Sequence, residues 1–188
     1  MSVMTKYIRL YIMNVDSKRT KPLTFRIETK VLEKIREEGG NNQISVSNFI
    51  NKILKRYVEW DSFEPKVGMI PMAKPVITTL FNMMSEDEIL DLVSNFGKNV
   101  VQDIAYFMKM KSDPDSFLTW FEIRMRRSFV EFNHLQENDR HIYILKHDLG
   151  YNWSLYHKKI LERIFNEIFN NPVSIVISDF MLTIQFER

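Results

Sequence analysis

Between residues 64 and 75 the chain carries three of its six prolines and one of its five glycines. Proline fixes φ and has no backbone donor, so neither a continuous helix nor a central strand can run through such a stretch. The 188 residues are thereby divided into a first part, 1–64, a Pro-containing linker, 65–75, and a second part, 76–188. The linker's apolar residues suit it to docking on a surface rather than swinging freely. No internal repeat or low-complexity tract is present.

Charge divides the chain at almost the same place. The whole protein has 26 Lys+Arg and 24 Asp+Glu, a formal net charge of +2. Residues 1–60 hold 12 basic and 6 acidic side chains, a net +6, and residues 61–188 hold 14 basic and 18 acidic, a net −4. An asymmetry of this kind points to a polyanionic partner for one part only. Cysteine is absent, which excludes a disulfide scaffold, cysteine metal sites and thiol catalysis, and fits a reducing compartment. No stretch approaches the ~18–20 consecutive apolar residues of a membrane span. The most apolar early segment, 7–15, is broken by Arg9 and Asn14 and ends in no cleavage pattern. A cytoplasmic location with no membrane contact is therefore expected.

Leu23, Phe25 and Ile27 alternate with Thr24, Arg26 and Glu28, the period of a half-buried strand. Thr29 is placed to cap a helix carrying Val31, Leu32 and Ile35, which Gly39-Gly40-Asn41-Asn42 ends. A second helix begins after Ser45, with an apolar stripe of Phe49, Ile50, Ile53, Leu54, Tyr57 and Val58 and with Lys52, Lys55 and Arg56 elsewhere. One strand and two helices in so short a segment cannot bury a core alone. Two copies with antiparallel strands would, and the resulting ribbon has the width of the DNA major groove.

The runs Leu23-Thr24-Phe25-Arg26-Ile27, Val31-Leu32-Glu33-Lys34-Ile35 and Ser45-Val46-Ser47-Asn48-Phe49-Ile50 resemble the ribbon-helix-helix family of dimeric DNA-binding proteins, over about residues 20–60. The resemblance implies a homodimeric, sequence-specific transcriptional regulator that inserts a two-stranded β-ribbon into double-stranded DNA. It puts Thr24 and Arg26, with Pro22, where the family reads bases, and Ser45, Val46 and Ser47 where it clamps a phosphate. Arg26 suits its place because a planar guanidinium grips guanine in two hydrogen bonds. Free N–H groups at a helix start attract anions, as the phosphate role requires. Pro22 departs from the pattern, and no glycine directly precedes the second helix. Lys18, Arg19 and Lys21 form a basic lead-in placed to touch phosphates. Residues 6–13 are β-prone and read as an extra strand, and the piece from 18 to 21 reads equally as a disordered arm.

Residues 76–188 read as an α+β domain with helices packed on a small antiparallel sheet. Ser85-Glu86-Asp87-Glu88 has the form of a capping box, and Asp113-Pro114-Asp115-Ser116 opens another helix. Residues 129–135 and 141–147 alternate as a hairpin, Asn152 is placed to cap a helix, and 173–186 supply a last strand or hairpin. The four histidines lie within 134–157, but none is spaced as a zinc pair. On strand parity His141 and His147 share one face and His134 the other, so no metal site is expected. No phosphate loop, dinucleotide fingerprint or nucleophile elbow occurs, and neither enzymatic activity nor a cofactor is expected. His147, Asn152, Trp153, Ser154 and Tyr156 cluster at a strand end and helix start, and form a candidate small-molecule pocket. Alternatively Trp153 and Tyr156 fill the core. This domain is expected to oligomerise or to sense a ligand or protein effector. A rival for the whole chain is an antitoxin-like interaction module that uses the ribbon only to dimerise.

Overall fold

A computed structural model describes residues 20–109 and 113–187. Lys18, Arg19 and the expected strand at 6–13 lie outside the described residues. The chain forms two compact units that meet at Ile53 and Leu54, upstream of the proline-containing stretch.

In the first unit, residues 20–28 are irregular and lead into helix α1, Thr29–Asn41. Helix α2, Val46–Arg56, follows a short turn and runs past the unit boundary. The strand expected over residues 23–28 is absent, and this corrects the ribbon-helix-helix fold assignment. Alternation alone does not make a strand, because each extended segment needs a neighbour to take up its backbone N–H and C=O groups. Among the described residues every strand belongs to one sheet in the second unit. Leu23 and Phe25 are left 76% and 52% exposed. Glu28, not Thr29, occupies the cap position of α1, without a side-chain cap. Gly39 and Gly40 lie inside the last turn rather than ending it, and Gln43 supplies the left-handed residue at φ 55°. Gly39 is buried, and a Cβ there would stand 3.0 Å from the Ile44 carbonyl oxygen.

The second unit is built of helices followed by a sheet. A π-turn at Tyr57–Asp61 and a 3-10 turn at Glu64–Val67 precede helices α3, Lys74–Met83, and α4, Glu86–Leu92. Pro65 sits in the 3-10 turn and Pro75 in the first turn of α3, where a missing N–H costs nothing. Ser85 and Glu88 form the reciprocal capping box of α4. Helices α5, Lys98–Lys109, and α6, Pro114–Arg127, follow, the latter capped by Asp113 through Ser116 N–H at 2.9 Å. Strands β1, Glu131–Glu137, and β2, Arg140–Lys146, are joined by a two-residue turn with Asn138 at φ 54°. Helix α7, Tyr151–Arg163, leads through another π-turn to β3, Ser174–Ile177, and β4, Met181–Glu187.

The antiparallel sheet has the order β1-β2-β4-β3. Its buried face carries Phe132, Leu145, Leu182, Ile184 and Phe186. These meet Trp120 and Phe121 of α6 and Ile164 and Phe165 beyond α7 in one continuous core. Trp60 is 2% exposed and stacks on Trp120 at 6.4 Å between ring centres. Arg127 ties the segment bearing Trp60 to α6, reaching Asp61 at 2.8 Å and Glu64 at 2.9 Å.

Candidate functional site

The most distinctive stretch of the sequence, 147–156, falls where β2 gives way to α7, and the structure distributes its residues over three environments. His147 and Ser154 form a closed relay. The Leu149 N–H donates to His147 Nδ1 at 3.2 Å, which leaves the ring proton on Nε2 to donate to Ser154 Oγ at 2.8 Å. Ser154 in turn donates to the Ser178 carbonyl at 2.8 Å. Burial holds the His147 imidazole below its ordinary range, with Asp148 opposing and Lys74 assisting. A histidine that donates to the serine cannot accept its proton, and Ser154 is fully buried. The pair locks β2, α7 and the β3–β4 turn together. Trp153 is buried between the rings of His147 and His157, at 4.5 and 3.9 Å.

Asn152 does not cap α7. Gly150 holds that position, and the Asn152 amide donates to the Phe81 and Met84 carbonyls at 2.9 and 2.7 Å, closing the C-terminal end of α3. It lines an open cleft with Thr78, Asn82, Asp148, Gly150 and Asp179. Lys74 pairs with Asp148 beside this cleft and holds its carboxyl below the usual range. Gly150 has φ 86° and ψ 170°, a region closed to side-chain-bearing residues, and a Cβ there would stand 2.9 Å from Asn82 Oδ1. Gly150→Ala is expected to cost about 1–3 kcal/mol from backbone strain. In thermal melts, adding Asn82→Ala should recover only the part that comes from the clash.

Tyr156 faces a different space. A narrow cleft of about 10 Å³, room for a single water, lies between α6 and α7, and Tyr156, His157 and Arg124 supply its polar groups. Phe121, Ile160 and Leu161 are among its apolar walls. His157 is 5% exposed, and its Nδ1 donates to the Trp153 carbonyl at 2.9 Å. Nε2 therefore carries the lone pair, and it has no partner. Burial pushes this imidazole down to about 3, helped by the Arg124 charge and opposed by the Trp153 carbonyl, so the ring is neutral at pH 7. Arg124 lies over the Trp120 ring at 5.4 Å, and burial lowers its proton affinity. Burial raises the Tyr156 phenol, against the attraction of Arg124.

His134 and His141, assigned to opposite faces on strand parity, are on the same face. The register sets His134 opposite Tyr143, two residues from His141, and brings His134 Nε2 to 3.0 Å from His141 Nδ1. No group of three His, Asp or Glu able to hold a metal ion occurs among the described residues.

In the first unit, Thr24 and Arg26 lie in the irregular lead-in and are exposed, as is Lys21. Ser45 precedes α2 and accepts the Asn48 N–H at 3.3 Å, beside half-buried Val46 and exposed Ser47. Sequence reading missed Arg124 and His157. Both hold positions in an otherwise apolar helical stripe, Phe117, Trp120, Phe121, Arg124 on α6 and Trp153, His157, Ile160 on α7. A polar residue in register with a core face was the available signal.

No protein-family model matches the chain, and no curated protein matches it. Among solved structures, an H-NOX protein from S. oneidensis in the Fe(II)NO ligation state is similar over 98% of this chain and 90% of its own, with 10% identity and a TM-score of 0.25. A likeness of that size establishes neither a shared fold nor a shared site. No helix among the described residues is long and apolar enough to cross a membrane.

Proposed function

We propose that the chain is a homodimeric, sequence-specific DNA-binding transcriptional regulator. Residues 1–60 contact double-stranded DNA, and the second unit senses an effector or oligomerises. The observation that carries this reading is the segregation of charge, +6 over residues 1–60 and −4 over the rest. Lys21, Arg26, Lys30, Lys34, Arg36 and Lys52 are all exposed, and none forms an ion pair among the described residues. Unpaired cations on one segment favour phosphate binding through counterion release. The start of α2 adds to this, since Ser45 satisfies one N–H and the other first-turn donors remain available to a phosphate oxygen.

Self-association is supported by what the first unit lacks. Gly39 is its single fully buried residue among those described, while Leu23, Phe25 and Val31 are exposed. A segment with that apolar surface and, among the described residues, no core gains stability by covering it with a second copy.

Two variants separate the roles in an electrophoretic retardation assay. Replacing Lys30, Lys34 and Lys52 by Gln should weaken binding to all duplexes alike and flatten its salt dependence. Arg26→Ala should cost about 1–3 kcal/mol on the preferred site and little elsewhere. Unchanged affinity and preference in both would remove DNA contact from residues 1–60. A stoichiometric protein partner with no retardation at low salt would favour the interaction module instead.

A further inference from the structure

Three segments of the second unit wall the open cleft beside Asn152: one face of α3, the start of α7 and the β3–β4 turn. Hydrogen bonds lock all three together. The Asn152 amide holds α7 to the C-terminal end of α3 at 2.9 and 2.7 Å. The His147 N–H donates to the Phe180 carbonyl at 2.9 Å, which ties the turn to β2. Ser154 ties it to α7 through the Ser178 carbonyl at 2.8 Å. The cleft is therefore preformed, and its volume of about 460 Å³ lies within the ~300–1,000 Å³ of small-molecule sites.

The groups that line it are incompletely used. Asp148 is paired with Lys74, whereas Asp179 has no ion-pair partner among the described residues. The Asn82 side-chain amide has no hydrogen-bond partner among them either. Phe180 is 68% exposed and Tyr151 45%, and neither touches another ring among the described residues. Other rings of this unit, Phe117, Phe121 and Phe132 among them, pack on one another in its core. The exposure of Phe180 does not come from a loose turn, since its N–H donates to Ser178 Oγ at 3.3 Å and its carbonyl accepts from His147. An apolar ring held in water by a bonded backbone forgoes transfer energy that a ligand restores.

We propose that this cleft binds a small organic ammonium ion with an apolar body, its N–H groups donating to the Asp179 carboxylate and its body lying on Phe180 and Tyr151. Charge decides the class. With Lys74 neutralising Asp148, Asp179 is the wall residue whose charge is uncompensated among the described residues. An anion meets it as a like charge, and a neutral ligand leaves it unpaired. Ring faces attract cations as well. The net −4 over residues 61–188 favours their approach and disfavours that of anions. Thr78 and Asn82, one turn apart on α3, add acceptor oxygens to the walls. Such a ligand is the effector of the proposed sensing role, a meaning that rests on that reading, while its binding is measured without DNA.

Titration calorimetry of the full chain with benzylamine, a cation at neutral pH, tests this against benzyl alcohol and benzoate, its neutral and anionic counterparts. Benzylamine should bind at least tenfold more tightly than either, and its affinity should fall as salt rises. Asp179→Asn should abolish the preference over benzyl alcohol, and Phe180→Ala should weaken benzylamine about fivefold. Both side chains are exposed, so the variants should fold, and unchanged fluorescence of buried Trp120 and Trp153 checks that they do. Benzylamine binding no tighter than benzyl alcohol, or a preference that survives Asp179→Asn, would overturn the proposal. A negative result here leaves DNA retardation intact, and absence of retardation leaves benzylamine binding intact.

Discussion

Between pH 8 and pH 5 the second unit should lose about 2 kcal/mol of stability through His157 alone. The folded protein holds this imidazole near 3, whereas an exposed one titrates near 6.5. The unfolded chain therefore takes up the proton first. Stability is fully present above pH 6.5 and falls by about 1.4 kcal/mol for each unit below it, until the folded ring itself titrates. Stopping at pH 5 keeps ordinary carboxylates out of the comparison. Urea unfolding followed by tryptophan fluorescence checks this, because Trp120 and Trp153 are both buried in this unit. His157→Phe should remove most of the pH dependence, since a phenyl ring suits the walls formed by Phe121, Ile160 and Leu161. The Trp153 carbonyl that loses its donor is already within helix α7. A residual slope of the same sign should remain, because His134 and His147 are also held low by burial. An unchanged slope in the variant would place the acid sensitivity elsewhere.

Trp120→Ala should cost about 3–5 kcal/mol, a large part of the stability of a domain this size. Trp120 is fully buried and lies against Trp60 at 6.4 Å and Phe117 at 5.7 Å. Its indole N–H donates to the Met108 sulfur at 3.1 Å. Truncation removes the transfer energy of the ring and leaves a cavity where α5, α6 and the Trp60 segment meet, which a packed interior refills only in part. It also takes away the ring beneath Arg124. The urea midpoint should fall with the slope of the transition unchanged. A loss under 1 kcal/mol would mean that Trp60 and Phe117 collapse into the vacated space.

Much of the second unit was legible because its signals are local. The Ser85–Glu88 capping box, the Asp113 cap and the 131–146 hairpin are each specified by residues a few positions apart. The lead-in at 20–28 was misread for the opposite reason. Its alternation satisfies the pattern of a strand, but pairing is decided by a neighbour that a linear pattern does not reveal. The misplaced histidine faces were an error of cross-strand register, which the two-residue turn fixes: with Glu137 opposite Arg140, His134 falls opposite Tyr143. In 147–156 the residue types were informative and their partners were not. Asn152 bonds to carbonyls about 70 positions earlier in sequence, and Ser154 to one at 178. The Arg124–His157 cleft depends on how α6 meets α7, so only the odd polar residue in each apolar stripe marked it.

Selection of preferred duplexes from random DNA by the full chain, followed by a salt titration of the winner, tests the central claim most directly. A DNA-binding regulator should recover a defined motif, with log K falling linearly in log salt at about 0.9 per phosphate neutralised. Recovery of no motif, together with affinity that does not respond to salt, would contradict it.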